Sequence, residues 1–297
     1  MAPDRGIEIS ATLRKELLNA LHMGRIEPGD RLRSIRSVAR ARKVDHRVVA
    51  EAYHSLANEG LVEIRGRSGV YASAPAPPPA PPQTRDRWLA TVLSEGWTRD
   101  LTSNRLADLV RCCTTAGELR CICVESNLDQ MTAYRDELEE VAGLHPAPLY
   151  VQSGDRTGIA EPGERNRICA EIREADVVVT TEYHLAAVHG IAREHHIPLI
   201  VIRIHPELGS AVRSHLRQRR LTVVSATKEF GARLRLMYED VLHRSDRLRV
   251  VLAGDAAIRR KLDPEEPVLL TRAARDLLPP GLNPRRLVFP HSPTIAP

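Results

Sequence analysis

The chain has 297 residues, 42% of them hydrophobic and 27% charged, which is the balance of an ordinary globular protein with room for two domains. Aromatic residues make up only 3%, so a core has to be built mainly from aliphatic side chains. The net charge of +5 is uneven: residues 1–73 carry 13 Lys and Arg against 9 Asp and Glu, whereas residues 74–297 carry 30 against 29. This concentration of positive charge in the first quarter predicts a polyanion-binding surface there.

We expect a cytoplasmic protein. The first ten residues contain no apolar segment typical of a signal peptide, and no apolar run approaches the ~20 residues that a membrane-spanning helix needs. The five cysteines form no recognisable disulfide framework, which fits a reducing compartment.

Three helices are predicted in the first sixty residues. Apolar residues recur at helical spacing over residues 9–21, and Gly24 is a suitable end for that helix. A short helix is predicted over residues 35–42. Asp45 is a good N-cap for a third helix, which Gly60 would end.

The stretch LVEIRGRSGVYAS, residues 61–73, predicts a β-hairpin with a basic tip. Gly66 and Gly69 supply the backbone freedom of a tight turn, and Arg65 and Arg67 lie along the projecting strands. Three helices followed by a hairpin in about 70 residues are the layout of a winged helix-turn-helix domain. In that layout the hairpin is a wing that holds its arginines near phosphates or the minor groove; the alternative is an ordinary surface hairpin.

The basic residues cluster where such a domain meets DNA. Between positions 31 and 47 a single acid, Asp45, accompanies seven basic residues: Arg31, Arg33, Arg36, Arg40, Arg42, Lys43 and Arg47. The outward residues at the start of the third helix are Asp45, His46, Arg47 and Ala50, the positions from which a recognition helix reads bases. We expect Arg47 to meet guanine or a phosphate and Asp45 to act mainly as the cap.

The run GRIEPGDRLRSIRSVARARKVDHRVVAEAYHSLANEGLVEIRGRSGVY resembles the DNA-binding domain of GntR-type bacterial repressors. The shared pattern is G-x-[IL]-x-P-G-x-[RK]-L-P-S-x-R-x-[LV]-A, then a turn with Val-[ST]-Arg, a helix that ends E-G-L-[IV], and a wing with glycine. The resemblance covers about residues 9–72, and it implies a homodimer that binds a two-fold operator. The residues expected to contact DNA are Arg33, Ser34, Arg36, Asp45, His46, Arg47, Arg65, Arg67 and Gly69.

This sequence departs from the family pattern at three places. Arg33 replaces the usual proline, Asp45-His46 replaces the usual [ST]-Arg pair with an arginine following at Arg47, and Ala50 stands where a further arginine is common. The resemblance therefore implies DNA binding without implying the family's operator preference.

Residues 74–82 read APAPPPAPP and predict a domain boundary. Six prolines in nine residues favour an extended polyproline II spacer of roughly 28 Å. We therefore expect a winged helix-turn-helix domain at residues 1–73, a linker at 74–84 and a second domain at 85–297.

The second domain is predicted to be α/β with a mainly parallel sheet. From residue 119 onward, short apolar runs alternate with amphipathic helices, and the last strands are predicted near residues 248–252, 267–271 and 285–290. The sequence is compatible with either of two architectures: a doubly wound sheet, or two lobes like those of periplasmic binding proteins. Residues 85–117 are predicted to be helical and to pack between domains or between subunits.

Polar residues follow several of these predicted strands, at the sheet edge where ligands of parallel sheets bind. They predict a site for a small polar or anionic effector, and the alternative is simple helix capping. The segment ADVVVTTEYHLAAV also loosely resembles effector domains of some GntR-type regulators, which implies effector sensing. The candidate effector-binding residues are Glu125, Asn127, Thr180, Thr181, Tyr183, His184, Arg203, Ser225 and Thr227.

Parts of the sequence are compatible with two other functions. A metal- or thiol-redox-responsive regulator could use the neighbouring thiols of Cys112, Cys113, Cys121 and Cys123, although C-x-C on an apolar strand is more typical of buried core. The N-terminal region also resembles that of regulators with an aminotransferase-like domain, but such domains are much longer than residues 83–297. Because P-loop, G-x-G-x-x-G, G-x-S-x-G and helical zinc-pair motifs are missing from the sequence, we predict no catalytic residue, metal or cofactor.

Overall fold

The structure is a computed structural model that describes residues 5–73, 85–115, 119–151, 162–242, 246–289 and 295–296. The predicted proline linker at residues 74–84 lies outside the described residues. None of the helices in the described ranges has both the length and the apolar character needed to cross a membrane.

A winged helix-turn-helix domain begins the chain, as predicted. Its elements are α1 (Arg5–His22), α2 (Ile35–Arg42), α3 (His46–Asn58), β1 (Val62–Arg65) and β2 (Gly69–Ala72). β1 and β2 pair antiparallel, and a bridge between Arg31 and Tyr71 adds a third chain segment to this small sheet. Leu17, Val49 and Leu56 belong to one buried core under all three helices.

A helical hairpin follows, consisting of α4 (Arg85–Trp97) and α5 (Ser103–Thr115). Gly96 faces Leu106 across the hairpin, where the position of a Cβ atom on the glycine would lie 3.6 Å from Leu106 Cδ2. The hairpin leaves large apolar side chains in solvent, including Trp97, which is 73% exposed.

The first lobe, residues 119–201, holds a four-stranded sheet. Its elements are β3 (Cys121–Glu125), α6 (Leu128–Ala142), β4 (Ala147–Tyr150), α7 (Pro162–Arg173), β5 (Val177–Thr180), α8 (Leu185–Glu194) and β6 (Leu199–Val201). The strand order is β4-β3-β5-β6 and every pairing is parallel. β3 is buried over its whole length, which explains its continuous apolar run.

The second lobe, residues 206–289, holds a separate three-stranded parallel sheet in the order β10-β8-β9. Its elements are α9 (Pro206–Gln218), β8 (Leu221–Ser225), α10 (Lys228–Met237), α11 (Glu239–Leu242), β9 (Leu248–Leu252), α12 (Ile258–Lys261), β10 (Val268–Leu270) and α13 (Arg272–Arg275). Between the lobes, β7 (Arg203–Ile204) pairs antiparallel with β11 (Ile295–Ala296), whose Ile295 packs into the first-lobe core.

The predicted α/β class with parallel pairing is confirmed: the described strands from β3 onward form a four-stranded and a three-stranded parallel sheet, and β7 and β11 form an antiparallel pair. The apolar run PLIVIRI, residues 198–204, favours a single strand in the sequence, but in the structure it divides into β6 and β7. Ile202 N donates to Thr180 O, after which the chain leaves the first sheet to pair with β11. The strand predicted at residues 285–290 is reduced to one bridge between Val268 and Arg286.

Candidate nucleic-acid interface

Two side-chain caps fix the helix-turn-helix. Ser34 Oγ accepts a hydrogen bond from Ser37 N at 3.2 Å and caps α2. Asp45 Oδ1 accepts one from Arg47 N at 2.7 Å and caps α3, so the capping role expected for Asp45 is present.

The buried stripe of α3 sets which of its residues face outward. Val49, Ala52, Tyr53 and Leu56 are buried, and Tyr53 Oη donates to Arg33 O at 2.9 Å, which ties α3 to the segment before α2. The opposite face is therefore presented to solvent.

Unpaired arginines lie on the exposed sides of α2 and α3. Arg36, Arg40 and Arg47 are exposed, and within the described ranges none of them has an ion-pair partner. His46, also exposed, has its Nδ1 3.3 Å from Asp45 Oδ1. Guanidinium groups without an internal partner are available for DNA phosphates and guanine edges.

The wing carries an arginine that is partly neutralised. Arg65 Nη2 donates to Glu63 Oε2 at 2.8 Å, and its guanidinium lies 4.3 Å from the centre of the Tyr71 ring. The hydrogen bond from Arg65 lowers the pKa of Glu63. Arg67 stands in the 3-10 turn at the tip, and its side chain is not among those described.

Gly69 lets Arg31 approach the wing. Its φ of +116° favours glycine, and a Cβ atom at this position would lie 3.2 Å from Arg31 Nε. Arg31 and Arg40 belong to the basic cluster of the sequence but not to the set of residues expected to contact DNA.

A second polar cluster lies at the carboxyl ends of the first-lobe strands. Glu125 is fully buried, and its Oε1 accepts hydrogen bonds from Ser126 N at 2.8 Å and Ser126 Oγ at 3.2 Å and lies 2.9 Å from His184 Nε2. Burial by itself would raise the pKa of Glu125, but His184, Arg233 and the backbone of Ser126 hold it at about 2. The cluster therefore keeps a carboxylate ionised inside the protein.

The two lobes meet at this cluster. Asn127 caps α6 and donates through Nδ2 to Thr227 Oγ1 at 3.2 Å. Ser225 Oγ donates to Thr227 O at 2.9 Å. The carboxyl end of β3 therefore faces the carboxyl end of β8, which brings residues from both lobes into one place.

The predicted effector residues separate into three groups. Glu125, Asn127, His184, Ser225 and Thr227 lie at the contact between lobes or beside it. Thr180 and Thr181 are buried at the end of β5, where Thr180 Oγ1 donates to Val124 O at 3.4 Å.

Tyr183 and Arg203 contact a different region. Tyr183 Oη donates to Asn19 Oδ1 of α1 at 3.2 Å, and Arg203 Nε donates to Glu182 Oε1 at 2.5 Å, beside α1. Tyr183 thus connects the first lobe to the winged helix domain directly, and Arg203 bonds Glu182, whose other carboxylate oxygen lies 3.4 Å from His22 Nδ1 of α1.

Asp129 and Thr271 join the lobes and were missed from the sequence. Asp129, in the first turn of α6, is 1% exposed and accepts four hydrogen bonds from the second lobe. An acid in a first turn is common for electrostatic reasons alone, so no pattern distinguished it.

The cysteines do not form a site in the part of the chain that is described. Burial raises the pKa of Cys121 to about 11 and raises that of Cys123 further, which disfavours the reactive thiolate. No cluster of three or more His, Cys, Asp or Glu suited to a metal occurs within those ranges. The metal- or redox-responsive alternative is therefore not favoured.

The geometry of residues 5–73 defines a winged helix-turn-helix protein with an exposed basic face. Residues 9–72 match the family of bacterial regulatory proteins of the gntR type. Through these residues the chain is similar to GntR-type regulators.

Known proteins are similar to part of this chain. The HTH-type transcriptional regulator Rv1152 of Mycobacterium tuberculosis is 36% identical over 61 residues, which are 20% of this chain and half of that protein's length. YtrA from Sulfolobus acidocaldarius, a GntR-family transcription factor, is 17% identical with a TM-score of 0.21, covering 40% of this chain and 94% of that one. A transcriptional antiterminator from Listeria monocytogenes EGD-e is 17% identical with a TM-score of 0.22, covering 34% of this chain and 78% of that one.

Proposed function

We propose that this protein is a sequence-specific DNA-binding transcriptional regulator that acts as a repressor and is tuned by a small-molecule effector. The observation that carries the DNA-binding part is the exposed, unpaired arginine set on α2 and α3 of a GntR-type domain: Arg36, Arg40 and Arg47. Phosphates would orient the domain, and Arg47 at the start of α3 would read a base edge in the major groove.

The proposed effector site lies where the lobes meet. The buried carboxylate of Glu125, the amide of Asn127 and the hydroxyl of Thr227 converge from two different sheets. Ligands of parallel α/β folds bind at the carboxyl ends of strands, and these ends face each other here. A small polar or anionic molecule is the class that such hydroxyl, amide and charged groups would hold.

A homodimer is the proposed state on DNA, with α4 and α5 as the contact. Trp88 and Trp97 are 57% and 73% exposed, and Leu89, Leu93, Leu109 and Val110 are exposed as well. Given about 150–250 Å² for a whole aromatic side chain, these residues expose on the order of 600 Å², and two copies would bury roughly 1,200 Å², the lower end for a specific interface.

A salt titration of DNA binding tests the function. Purified full chain is titrated against the duplex upstream of its own coding sequence and against a random duplex of equal length, at 50 to 200 mM salt. We expect preference for its own duplex and a steep loss of affinity with salt, because Lys and Arg displace counterions from phosphates. Equal affinity for both duplexes, or a flat salt response, would contradict the proposal.

A ligand panel tests the effector part separately. The melting temperature of the full chain is measured with small carboxylates, inorganic phosphate, sugar phosphates and neutral polyols. We expect stabilisation by at least one polar or anionic compound, and Asn127→Ala should abolish it while the exposed variant Glu139→Gln keeps it. A stabilising compound whose effect survives Asn127→Ala would place the effector elsewhere.

A further inference from the structure

The last turn of α1 lies against the first lobe. His22 is fully buried, with Nδ1 3.4 Å from Glu182 Oε2 and its ring centre 5.0 Å from that of Tyr183. Tyr183 Oη donates to Asn19 Oδ1 at 3.2 Å. A helix of the DNA-reading domain is thereby fixed to the segment that follows β5.

The same turn of α1 also lies against the second lobe. Asn19 Nδ2 donates to Leu236 O at 2.9 Å, and Arg25 pairs with Asp240 at 3.6 Å. Met23 is buried in the second-lobe core, and its Cε would lie 3.2 Å from a Cβ atom placed on Gly209. Asn19 therefore bonds one lobe through its amide oxygen and the other through its amide nitrogen.

Asp129 holds the two lobes together. Its Oδ1 accepts from Ala226 N at 2.8 Å and Thr271 Oγ1 at 2.5 Å, and its Oδ2 accepts from Thr227 N at 2.9 Å and Thr227 Oγ1 at 2.7 Å. Charge-assisted hydrogen bonds of this kind are about twice as strong as neutral ones. Because all four donors belong to the second lobe, the buried carboxylate can keep its four bonds only at the present distance between the lobes.

We propose that residues 19–25 are a joint through which the separation of the two lobes sets the orientation of the DNA-reading domain, with Asp129 as the latch. This inference rests on the proposed function. If the lobes separate, Asn19 cannot keep both of its bonds, and α1 has to follow one lobe. Because packed interfaces shift between discrete arrangements, a small opening changes the position of the reading domain as a unit.

Space for this movement lies beside the joint. A cavity of about 490 Å³ separates the inner sides of α1 and α2 from the second lobe. Leu17 and Arg42 line it on one side, and Leu236 and Glu239 on the other. The cavity gives α2 and the middle of α1 room to turn toward the second lobe, while His22 and Met23 stay packed at the joint.

Loosening the latch tests the proposal without any effector. Asp129→Asn in the full chain replaces one acceptor by an amide that opposes the donors of the second lobe. We expect the dissociation constant for its own upstream duplex to change at least about fivefold, with faster hydrogen exchange of the amides of residues 19–25. Glu139→Gln, an exposed carboxylate on the same helix, is the control and should change neither. Thr271→Val is the milder variant if Asp129→Asn fails to fold: it removes one of the four bonds to Asp129, together with the cap bond from Ala274 N.

A double-mutant cycle then isolates the joint. Tyr183→Phe removes the bond to Asn19 and keeps the ring. We expect the effect of Asp129→Asn on affinity to shrink in this background, because the lobe movement no longer reaches α1 in full. The proposed joint is contradicted if the effects of the two substitutions on DNA affinity are additive. It is also contradicted if Asp129→Asn speeds the hydrogen exchange of residues 226–227 but leaves that of residues 19–25 unchanged. If the wild-type protein shows no preference for its own duplex, the proposed function is wrong. The hydrogen-exchange measurement still tests whether residues 19–25 respond to the separation of the lobes.

Discussion

In the part of the chain that is described, some arginines of the winged helix domain form ion pairs with carboxylates of the same domain, and others do not. Arg42 bonds Glu16 at 2.5 Å and Arg65 bonds Glu63 at 2.8 Å, whereas Arg36 and Arg47 are exposed and have no ion-pair partner in the described ranges. Exposed ion pairs contribute little to stability, but they do reduce the charge offered to a polyanion. The unpaired arginines should therefore dominate DNA affinity.

Arg36→Ala and Arg47→Ala should each weaken binding to the upstream duplex about tenfold, because each removes a contact worth about 1–3 kcal/mol. Fluorescence anisotropy at fixed salt measures this. Arg165→Ala removes an equally exposed arginine from α7 and serves as the control. Equal affinities for all three variants and wild type would mean that α2 and α3 do not face DNA.

Asp45 should show two separable effects. Asp45→Ala removes the hydrogen bond to Arg47 N and should lower the free energy of unfolding by about 1 kcal/mol. Asp45→Asn keeps an acceptor for the cap and removes a negative charge beside DNA, so it should tighten binding to random duplex at nearly wild-type stability. Urea unfolding and anisotropy measure the two effects; weaker DNA binding by Asp45→Asn would indicate that the carboxylate contacts a base.

Glu125 should make stability depend on pH. Its pKa is held at about 2, below the usual 4.5, so its ionised form stabilises the fold above pH 4.5, and this contribution is lost as pH falls toward 2. Glu125→Gln should cost about 3–5 kcal/mol at neutral pH because it breaks a buried pair. Unfolding measured across pH should show the difference from wild type shrinking between about pH 4.5 and 2, and a constant difference would show that Glu125 is not ionised in the fold.

At the scale of elements, close packing decides whether a glycine in a helix can be replaced by a residue with a Cβ atom. Gly231 on α10 faces β9, where a Cβ atom would lie 2.8 Å from Val250 Cγ1. Gly190 on α8 has no atom within 4 Å of a Cβ position. Both glycines are helical with ordinary φ, so they differ in surroundings and not in backbone strain.

Gly231→Ala should destabilise the protein by about 1–3 kcal/mol because the added methyl group overpacks the contact with β9. Gly190→Ala should instead stabilise it by up to about 1 kcal/mol, since alanine is the better helix former. Thermal unfolding of the two variants beside wild type compares them directly. A stabilising Gly231→Ala would show that α10 can move away from the sheet.

At the scale of the whole molecule, α4 and α5 leave a group of large apolar side chains exposed, including Trp88 and Trp97. Trp97→Glu places a charge in the proposed dimer contact and should shift the protein toward monomer in analytical ultracentrifugation. It should also weaken binding to a two-half-site duplex more than to a single half-site. Val141→Glu, at an isolated exposed apolar position on α6, is the control. A dimer that persists in Trp97→Glu would place the contact elsewhere.

The winged helix domain was predictable because its signals are local. The bounds of α2 and the caps at Ser34 and Asp45 follow from short-range preferences, and the register of β1 with β2 follows from a glycine turn. The alternation of strands and helices also predicted parallel pairing. By contrast, the chain between residues 199 and 204 changes sheets within a continuous apolar run, which no local pattern marks.

The sequence by itself determined a basic winged helix domain, similar to that of GntR-type regulators, and a parallel α/β region after it, since periodicity, caps and charge act over a few residues. Only the tertiary structure decided that Asp129 joins the lobes and that Asn19 and His22 lie against the second domain. These contacts link residues 97 to 217 positions apart, through acceptors and donors that look like ordinary caps or surface groups in the sequence. Their partners are set by how the two sheets and α1 pack, which is a property of the whole fold.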